Sequence, residues 1–169
     1  KLAGPRRTPA PAPEPGEPPP EALAREIDRA KAVYEAQVAA FRVRTRGLAV
    51  PGLEHFYWYH TVDLGGGLVT PGDYDFRDQF AAFGFPDDMT GLRVLDVGSA
   101  TGHFAFEFAR RGAAVTSVEL PSLAAWDMVS AERDDLLRRL QAEHRADTPE
   151  EAYRRHLDGP FRFCRERLG

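Results

Sequence analysis

The sequence predicts an α/β fold in which a parallel sheet follows an N-terminal helix and a β-hairpin. Two observations predict this fold. First, two short apolar runs, residues 93–97 and 114–119, flank a stretch with helical spacing at 103–111. Second, a loop of small residues at 98–102 joins the first run directly to that stretch. A strand–helix–strand unit of this kind has parallel strands and a right-handed crossover.

The composition is that of a globular chain. Of the 169 residues, 43% are apolar and 28% are charged, and the net charge is −4. No run approaches the roughly 18 apolar residues that a membrane-spanning helix needs, so we expect no membrane partner. The single cysteine, Cys164, excludes an intramolecular disulfide and a cysteine-rich metal cage. We therefore expect a cytoplasmic protein, and no histidine–carboxylate spacing predicts a metal site.

The first 47 residues divide into a tail and a helix. Residues 1–20 contain eight of the 14 prolines and predict a disordered, Pro-rich tail, because they hold too few apolar side chains to offset the entropy of ordering. Residues 21–47 predict one amphipathic helix. Its apolar residues recur at spacings of three, four or seven and are Leu23, Ile27, Ala30, Tyr34 and Phe41. We expect this helix to pack against the chain's own domain rather than form a coiled coil.

Residues 48–90 predict an aromatic hairpin followed by a helix. Half of the chain's 18 aromatic residues lie between Phe56 and Phe85. Residues 53–64 are rich in aromatic and β-branched types, and the glycines at 65–67 with residues 68–70 predict a turn and a return strand. Helical spacing then covers 73–83. We favour a compact aromatic core on one side of the sheet over a ligand-binding roof.

Residues 91–169 predict the strand–helix–strand unit and then a helical insertion. After the second strand, apolar spacing indicates a helix running to about Arg145. A further helix begins at Thr148, because Pro149 and Glu151 complete the pattern of an N-terminal capping box. No third strand is predicted before Gly169.

The stretch that carries chemistry is the loop 98–102 together with Glu119. A glycine-containing turn between a strand and a helix brings backbone N–H groups close to a ligand, and an acid about 20 positions later can bind two ribose hydroxyls. Glu119 stands 21 positions after Gly98. The pair predicts an adenosine-binding site. A dinucleotide site needs glycine at the sixth position, where this chain has His103, so that ligand is disfavoured.

The pattern Asp96-x-Gly98-x-Ala100-x-Gly102 resembles motif I of class I S-adenosylmethionine-dependent methyltransferases, although Ala100 stands where that family usually has a glycine. Upstream, the runs 58–64 and 69–72 resemble further blocks of the family that includes the tRNA wobble-uridine (5-carboxymethoxy- or methoxyuridine) methyltransferases and their bacterial relatives. The resemblance covers about residues 53–120. It implies a Rossmann-like sheet, of which this chain holds the first half in 91–169, and S-adenosylmethionine as the cofactor.

The resemblance also implies the residues of the site. The methionine end of the cofactor would lie at Asp96, Gly98, Ser99, Ala100 and Gly102, the ribose at Glu119 and the adenine beside Leu120. The methyl-transfer pocket would be lined by the catalytic candidates Tyr59, His60 and Thr61, with Trp58 and Thr70. His60 shares a strand face with apolar residues, so a core histidine and a general base both stay open. His55 and His103 are interpreted as surface or loop histidines.

The predicted function is S-adenosylmethionine-dependent methyl transfer to a small molecule or a tRNA nucleoside. The acidic balance and the lack of a basic stripe favour the small molecule. Because the family fold needs further strands, we expect a fragment, or a missing half on another chain, with weak cofactor binding and no turnover. Two alternatives stay open: a nicotinamide-dependent oxidoreductase, and a non-catalytic interaction fragment that uses the helix 21–46 and the proline tail.

Overall fold

The computed structural model describes residues 19–127 and 130–169. The predicted tail, residues 1–20, therefore lies almost wholly outside the described residues. In chain order the helices and strands are α1 (Pro20–Arg44), β1 (Arg93–Val97), α2 (His103–Arg110), β2 (Ala114–Val118), α3 (Ser130–Glu143), α4 (Pro149–Tyr153) and α5 (Gly159–Leu168). Short 3-10 turns occur at Leu53–His55, Phe80–Phe83 and Leu123–Ala125. None of the described helices is long and apolar enough to cross a membrane.

The strands β1 and β2 pair in parallel, and α2 connects them. Arg93 lies opposite Ala114, and Val97 lies opposite Val118. This pairing confirms the predicted strand–helix–strand unit and the mixed α/β class. Over the described ranges the sheet consists of these two strands, an arrangement compatible with part of a Rossmann-like fold.

The two faces of the sheet differ in burial. On one face, Val94 and Val115 pack against a cluster that consists of Phe80, Met89 and Phe108. On the other face, Leu95 is 63% and Val97 is 72% exposed. Successive side chains along a strand point to opposite faces of the sheet. One face of this sheet is therefore covered by the cluster, and the other face is apolar and exposed.

The segment 48–90 is less regular than predicted. The backbone N–H of Thr70 donates to the Val62 carbonyl at 2.9 Å, so the chain does reverse direction at 65–67. The pairing is nevertheless a single bridge, Asp63 with Val69, and Leu53–His55 is a 3-10 turn. The prediction of two paired strands is wrong here.

A second return path explains this difference. The N–H of Tyr74 donates to the Tyr59 carbonyl at 3.0 Å, and the N–H of Thr61 donates to the Tyr74 carbonyl at 2.9 Å. Residues 59–61 therefore pair with residue 74 in addition to lying beside the predicted return strand, residues 68–70. The predicted helix 73–83 is also wrong, because Tyr74 is extended in this pairing and only Phe80–Phe83 forms a 3-10 turn.

Helix α1 joins the core through its last turns. Phe41 is buried and packs edge to face on Trp58, with 5.1 Å between the ring centroids. Leu23 and Ile27, near the other end of the helix, are 48% and 46% exposed. The helix ends at Arg44, slightly before the predicted end at residue 47.

The C-terminal helices form one continuous rod. A π-helical turn, Arg154–Asp158, joins α4 to α5, and π-turns of this kind occur often at functional sites. The predicted cap is present, because the Thr148 hydroxyl accepts a hydrogen bond from the Glu151 N–H at 3.1 Å and Pro149 is the first helical residue. The inner face of α5 buries Phe163 and Cys164 against the aromatic core.

Candidate cofactor site

A cavity of about 270 Å³ opens at the carboxyl ends of β1 and β2. Four residues at the end of the sheet form one wall: Ser99, Ala100, Ser117 and Glu119. The rod of α4 and α5 forms the opposite wall with Tyr153, Leu157, Asp158, Phe161, Arg162 and Arg165. Open parallel sheets bind their ligands outside the carboxyl ends of their strands, so this cavity is the candidate cofactor site.

The loop 98–102 turns sharply because three of its residues have left-handed backbone conformations. Gly98 has φ 76° and Gly102 has φ 88°. A Cβ on Gly102 would also lie 2.5 Å from the Phe106 ring, so the loop packs tightly on α2. Ala100 has φ 47°, which costs an L-residue roughly 1–2 kcal/mol. A glycine at this position would avoid that cost.

The Glu119 carboxylate ties the end of β2 to this loop. One of its oxygens accepts a hydrogen bond from the Ala100 N–H at 3.0 Å, and the other accepts from the Leu120 N–H at 2.8 Å. A carboxylate has about four acceptor positions. The remaining positions are therefore available to ligand hydroxyls, and the two bonds already present fix the carboxylate in place.

Asp96 contributes an unsatisfied acceptor at the end of β1. Its Oδ2 atom is buried and has no hydrogen-bond partner in the described part of the chain. A buried carboxylate oxygen without a partner is costly, and a ligand ammonium or N–H group would remove that cost. The residues at this edge therefore fit both halves of the predicted ligand, an amino group at Asp96 and hydroxyls at Glu119.

The helix wall adds positive charge. The Arg162 Nε atom lies 2.8 and 2.9 Å from the two carboxylate oxygens of Asp158. Arg165 makes no ion pair with any described residue. The cavity therefore has an anchored carboxylate on the sheet side and an unpaired cation on the helix side.

The buried Thr101 hydroxyl attaches the loop to the upstream segment, and the buried Thr70 hydroxyl holds that segment together. The Thr101 hydroxyl accepts a hydrogen bond from the His60 N–H at 2.7 Å. The Thr70 hydroxyl accepts from the Val62 N–H at 2.8 Å and donates to the His60 carbonyl at 3.2 Å. Thr61 and Thr70 are 0% exposed. The runs 58–64 and 69–72, which carry the upstream resemblance, thus form the support on which the loop rests.

Not all predicted site residues share the cavity. Ser99, Ala100 and Glu119 line it, whereas Asp96, Gly98, Gly102 and Leu120 lie beside it without lining it. Among the catalytic candidates, Thr61 is fully buried and Tyr59 is 38% exposed. Trp58 belongs to the core with Phe41 and Phe163. His60 is 6% exposed, and its Nδ1 atom has no partner among the described residues.

His60 forms a buried pair with His103. Their ring centroids are 5.9 Å apart, and His103 is 2% exposed. The interpretation of His103 as a surface or loop histidine is therefore wrong: it begins α2, and Phe76 and Phe80 pack over it. Burial, and next the charge of His103, lower the pKa of His60 to about 4. Burial also lowers the pKa of His103.

A second histidine pair was not predicted at all. The Nε2 atom of His144 lies 2.8 Å from Nδ1 of His156, and Nδ1 of His144 lies 3.1 Å from the His55 carbonyl oxygen. The spacing of 12 residues between the two histidines is not the three- or four-residue spacing of neighbours on a helix. His144 directly follows α3 and His156 lies in the π-helical turn after α4, so only the packing of these segments brings them together. No three potential metal ligands cluster within the described ranges.

Comparison with known proteins gives one partial match. A stretch of 35 residues is 54% identical to the magnesium-protoporphyrin O-methyltransferase of Rhodobacter capsulatus. The stretch is 21% of this chain and spans 16% of that protein. No protein-family model and no solved structure matches the chain. The match relates part of the chain to an O-methyltransferase and gives no support to the tRNA wobble-uridine family in particular.

Proposed function

We propose that this chain carries the cofactor site of an S-adenosylmethionine-dependent methyltransferase. The observation that carries the proposal is the cavity between the loop 98–102 and the rod of α4 and α5, with Glu119 anchored at its sheet side. The 35-residue similarity to an O-methyltransferase supports the same reaction class. S-Adenosylmethionine supplies a methyl group already activated on a sulfonium sulfur.

The ends of the two strands would bind different parts of the cofactor. The free acceptor positions of Glu119 would bind the ribose hydroxyls, and the unsatisfied Oδ2 of Asp96 would accept from the amino group of the methionine part. The turn that contains Ser99, Ala100 and Gly102 would run beside the ligand. Leu120 would lie beside the adenine. The cavity of about 270 Å³ is just below the range of roughly 300–1,000 Å³ of small-molecule sites, so we expect weak binding.

The proposed acceptor is a small molecule rather than a tRNA nucleoside. Nucleic-acid binding draws much of its affinity from phosphate contacts to a basic surface. This chain has a net charge of −4, and its cavity arginines are few. A cytoplasmic location and a further chain that completes the site belong to the same proposal.

His103 separates this proposal from a nicotinamide-dependent oxidoreductase. The dinucleotide motif needs a small residue here, so that helix and strand approach closely along the pyrophosphate. His103 instead fills this position and is buried beneath Phe76 and Phe80. The histidine therefore supports a mononucleoside ligand.

Titration of the chain with S-adenosylhomocysteine and with NADH tests the proposal. We expect the first to bind, with a Kd above the micromolar range, and the second not to bind. Glu119→Gln should weaken binding about 10- to 100-fold, because one charge-assisted hydrogen bond contributes roughly 1.5–3 kcal/mol. Glu132→Gln, an exposed glutamate on α3, is the matched control and should bind as the wild type does. Binding of NADH alone, or of neither ligand, would contradict the proposal.

A further inference from the structure

A second cavity, of about 490 Å³, lies between α1 and the segment 48–90. It shares no lining residue with the candidate cofactor cavity. Its volume falls within the range of roughly 300–1,000 Å³ that small-molecule sites occupy. The molecule therefore has room for a ligand at a place that the proposed cofactor does not occupy.

One wall of this cavity is a single face of α1. Tyr34, Val38 and Arg42 follow one another at intervals of four residues, and Phe41 and Thr45 do the same beside them. Residues three or four apart are neighbours on a helix surface. The wall is therefore apolar over most of its length and becomes basic in the last turn of the helix.

The opposite wall is aromatic and largely apolar. Leu53 and Trp58 are buried, at 8% and 3% exposed, and the half-buried Phe56 lines the cavity beside them. The two walls meet where Phe41 packs edge to face on Trp58. Aromatic rings and aliphatic side chains thus surround the interior, and such a surface suits a ring-shaped apolar ligand.

Two arginines that line the cavity, Arg42 and Arg46, are available to a ligand. Neither makes a hydrogen bond or an ion pair with any residue in 19–127 and 130–169. Arg44, between them in the sequence, is engaged instead, because its guanidinium donates to the Gly66 carbonyl at 3.2 Å. Two unpaired guanidinium groups therefore lie at the basic end of an apolar cavity.

The charges at the cavity favour a monoanion. Besides Arg42 and Arg46, the charged side chain among the described lining residues is Glu54, so the net charge is +1. Glu54 lies 3.6 Å from Nε2 of His55 and is not within ion-pair distance of the arginines. A guanidinium group binds a carboxylate through two parallel hydrogen bonds. A carboxylate on a ring system therefore matches both the charge and the walls.

We infer that the cavity between α1 and the segment 48–90 is a binding site for an aromatic monocarboxylate. Its carboxylate pairs with Arg42 and Arg46, and its rings lie between the helix and Trp58. This ligand site goes beyond the proposed function, because it stands apart from the cofactor cavity and needs no S-adenosylmethionine.

Calorimetric titration of the full chain without cofactor tests the site. 2-Naphthoate should bind, and the neutral 2-naphthamide, which has nearly the same shape, should bind about tenfold more weakly because it lacks the charge. The dianion 2-naphthyl phosphate should bind no more tightly than 2-naphthoate. In nitrogen-15 NMR spectra, 2-naphthoate should shift the indole N–H signal of Trp58 and leave that of Trp126, which does not line the cavity, in place.

Variants locate the carboxylate. Arg42→Gln and Arg46→Gln should each weaken the binding of 2-naphthoate about tenfold and leave the binding of 2-naphthamide unchanged. Arg25→Gln is the matched control, because it makes the same change of charge on the same helix at an exposed side chain that pairs with Glu21. It should bind 2-naphthoate as the wild type does.

Several results would overturn the inference. They are failure of 2-naphthoate to bind, equal affinity for the carboxylate and its amide, and an equal loss of affinity in the Arg25 variant. A shift of the Trp126 signal instead of the Trp58 signal would also overturn it, and tighter binding of the phosphate would refute the monocarboxylate. Because no cofactor is present, each result stands apart from the outcome of the S-adenosylhomocysteine titration.

Discussion

The backbone N–H of His60 donates a hydrogen bond to the Thr101 hydroxyl oxygen over 2.7 Å, although the two residues are 41 positions apart. Thr101 is 1% exposed, so no water competes for this bond. The bond joins the loop 98–102 to the upstream aromatic segment. The shape of the loop therefore depends on residues outside the strand–helix–strand unit.

Thr101→Val tests this attachment. Valine has nearly the same shape but cannot accept, so the buried His60 N–H loses its partner at a cost of about 1–3 kcal/mol. Thr101→Ser keeps the hydroxyl and should lose less, chiefly for the missing methyl group. Urea unfolding of the two variants measures the difference in the free energy of unfolding. Equal values for the valine and serine variants would show that the hydrogen bond contributes nothing.

Ala100→Gly tests the strained turn in the loop 98–102. The left-handed backbone of Ala100, φ 47°, costs roughly 1–2 kcal/mol that glycine would avoid. Glycine also gives the unfolded chain more conformational entropy, which lowers the stability of the folded state by about 0.4–1 kcal/mol. We expect a net gain of about 0–1.6 kcal/mol in the free energy of unfolding.

Ala109→Gly is the matched control for that substitution. Ala109 is exposed within α2, where glycine costs about 1 kcal/mol relative to alanine. The two Ala→Gly variants should therefore shift the thermal midpoint in opposite directions. A loss of stability in both would mean that the backbone of residue 100 is not strained.

The sequence was sufficient to predict the loop and its acid because their signals are local. A strand, a glycine turn, a helix and an acid at the next strand end follow one another along the chain, and the structure brings Ala100 and Glu119 together in one hydrogen bond. The segment 48–90 was harder, since the pairing of Tyr74 with residues 59–61 depends on tertiary packing. Alternating aromatic residues fit a strand pattern equally well whether or not a partner strand exists.

The buried histidines escaped prediction for the same physical reason. His103 follows a glycine turn, where exposure is the common outcome, and only the packing of Phe76 and Phe80 covers it. His144 and His156 meet because the π-helical turn after α4 packs against the residue that follows α3. No period of the sequence relates residues on two helices, so their contact becomes visible only in the structure.

Gly72→Ala tests the packing of the two upstream runs. A Cβ at residue 72 would lie 2.1 Å from the backbone nitrogen of Thr61 and 2.2 Å from the His60 carbonyl carbon. Backbone atoms cannot move aside as a side chain can, so we expect a loss of more than about 3 kcal/mol or failure to fold. Gly66→Ala is the control for steric fit, because nothing lies within 4 Å of its Cβ; its left-handed backbone, φ 59°, should limit its loss to roughly 1–2 kcal/mol. Circular dichroism melts that give the two variants the same midpoint would contradict the close packing.

The buried His60 predicts a loss of stability in mild acid. Its pKa falls from 6.5 in the unfolded chain to about 4 in the folded chain, so the unfolded state binds the proton first. The contribution is fully present above pH 6.5 and is lost as the pH falls toward 4, by at most about 1.4 kcal/mol per pH unit for one group. His103 and His156, whose pKa values are also lowered by burial, add to the slope in the same direction.

Urea unfolding between pH 7 and pH 4.5 measures this slope. His60→Gln removes one titrating group and should make the decline in the free energy of unfolding less steep. His55→Gln removes a histidine that is only partly buried and serves as the matched control. If the free energy of unfolding of the His60 variant declines as steeply as that of the wild type, the pKa of His60 does not differ between the folded and unfolded states.

The open face of the sheet predicts self-association. Leu95, Val97 and Val118 are 63%, 72% and 47% exposed, and contiguous exposed apolar surface favours contacts between molecules. The double substitution Leu95→Thr and Val97→Thr places β-branched residues, which favour strands, at both positions and should change the free energy of unfolding by less than about 0.5 kcal/mol. It should also lower the apparent mass in light scattering at high concentration. Val94→Thr, on the covered face, should instead cost about 1 kcal/mol or more and leave association unchanged. Equal association of the double variant and the wild type would show that this face makes no contact between copies.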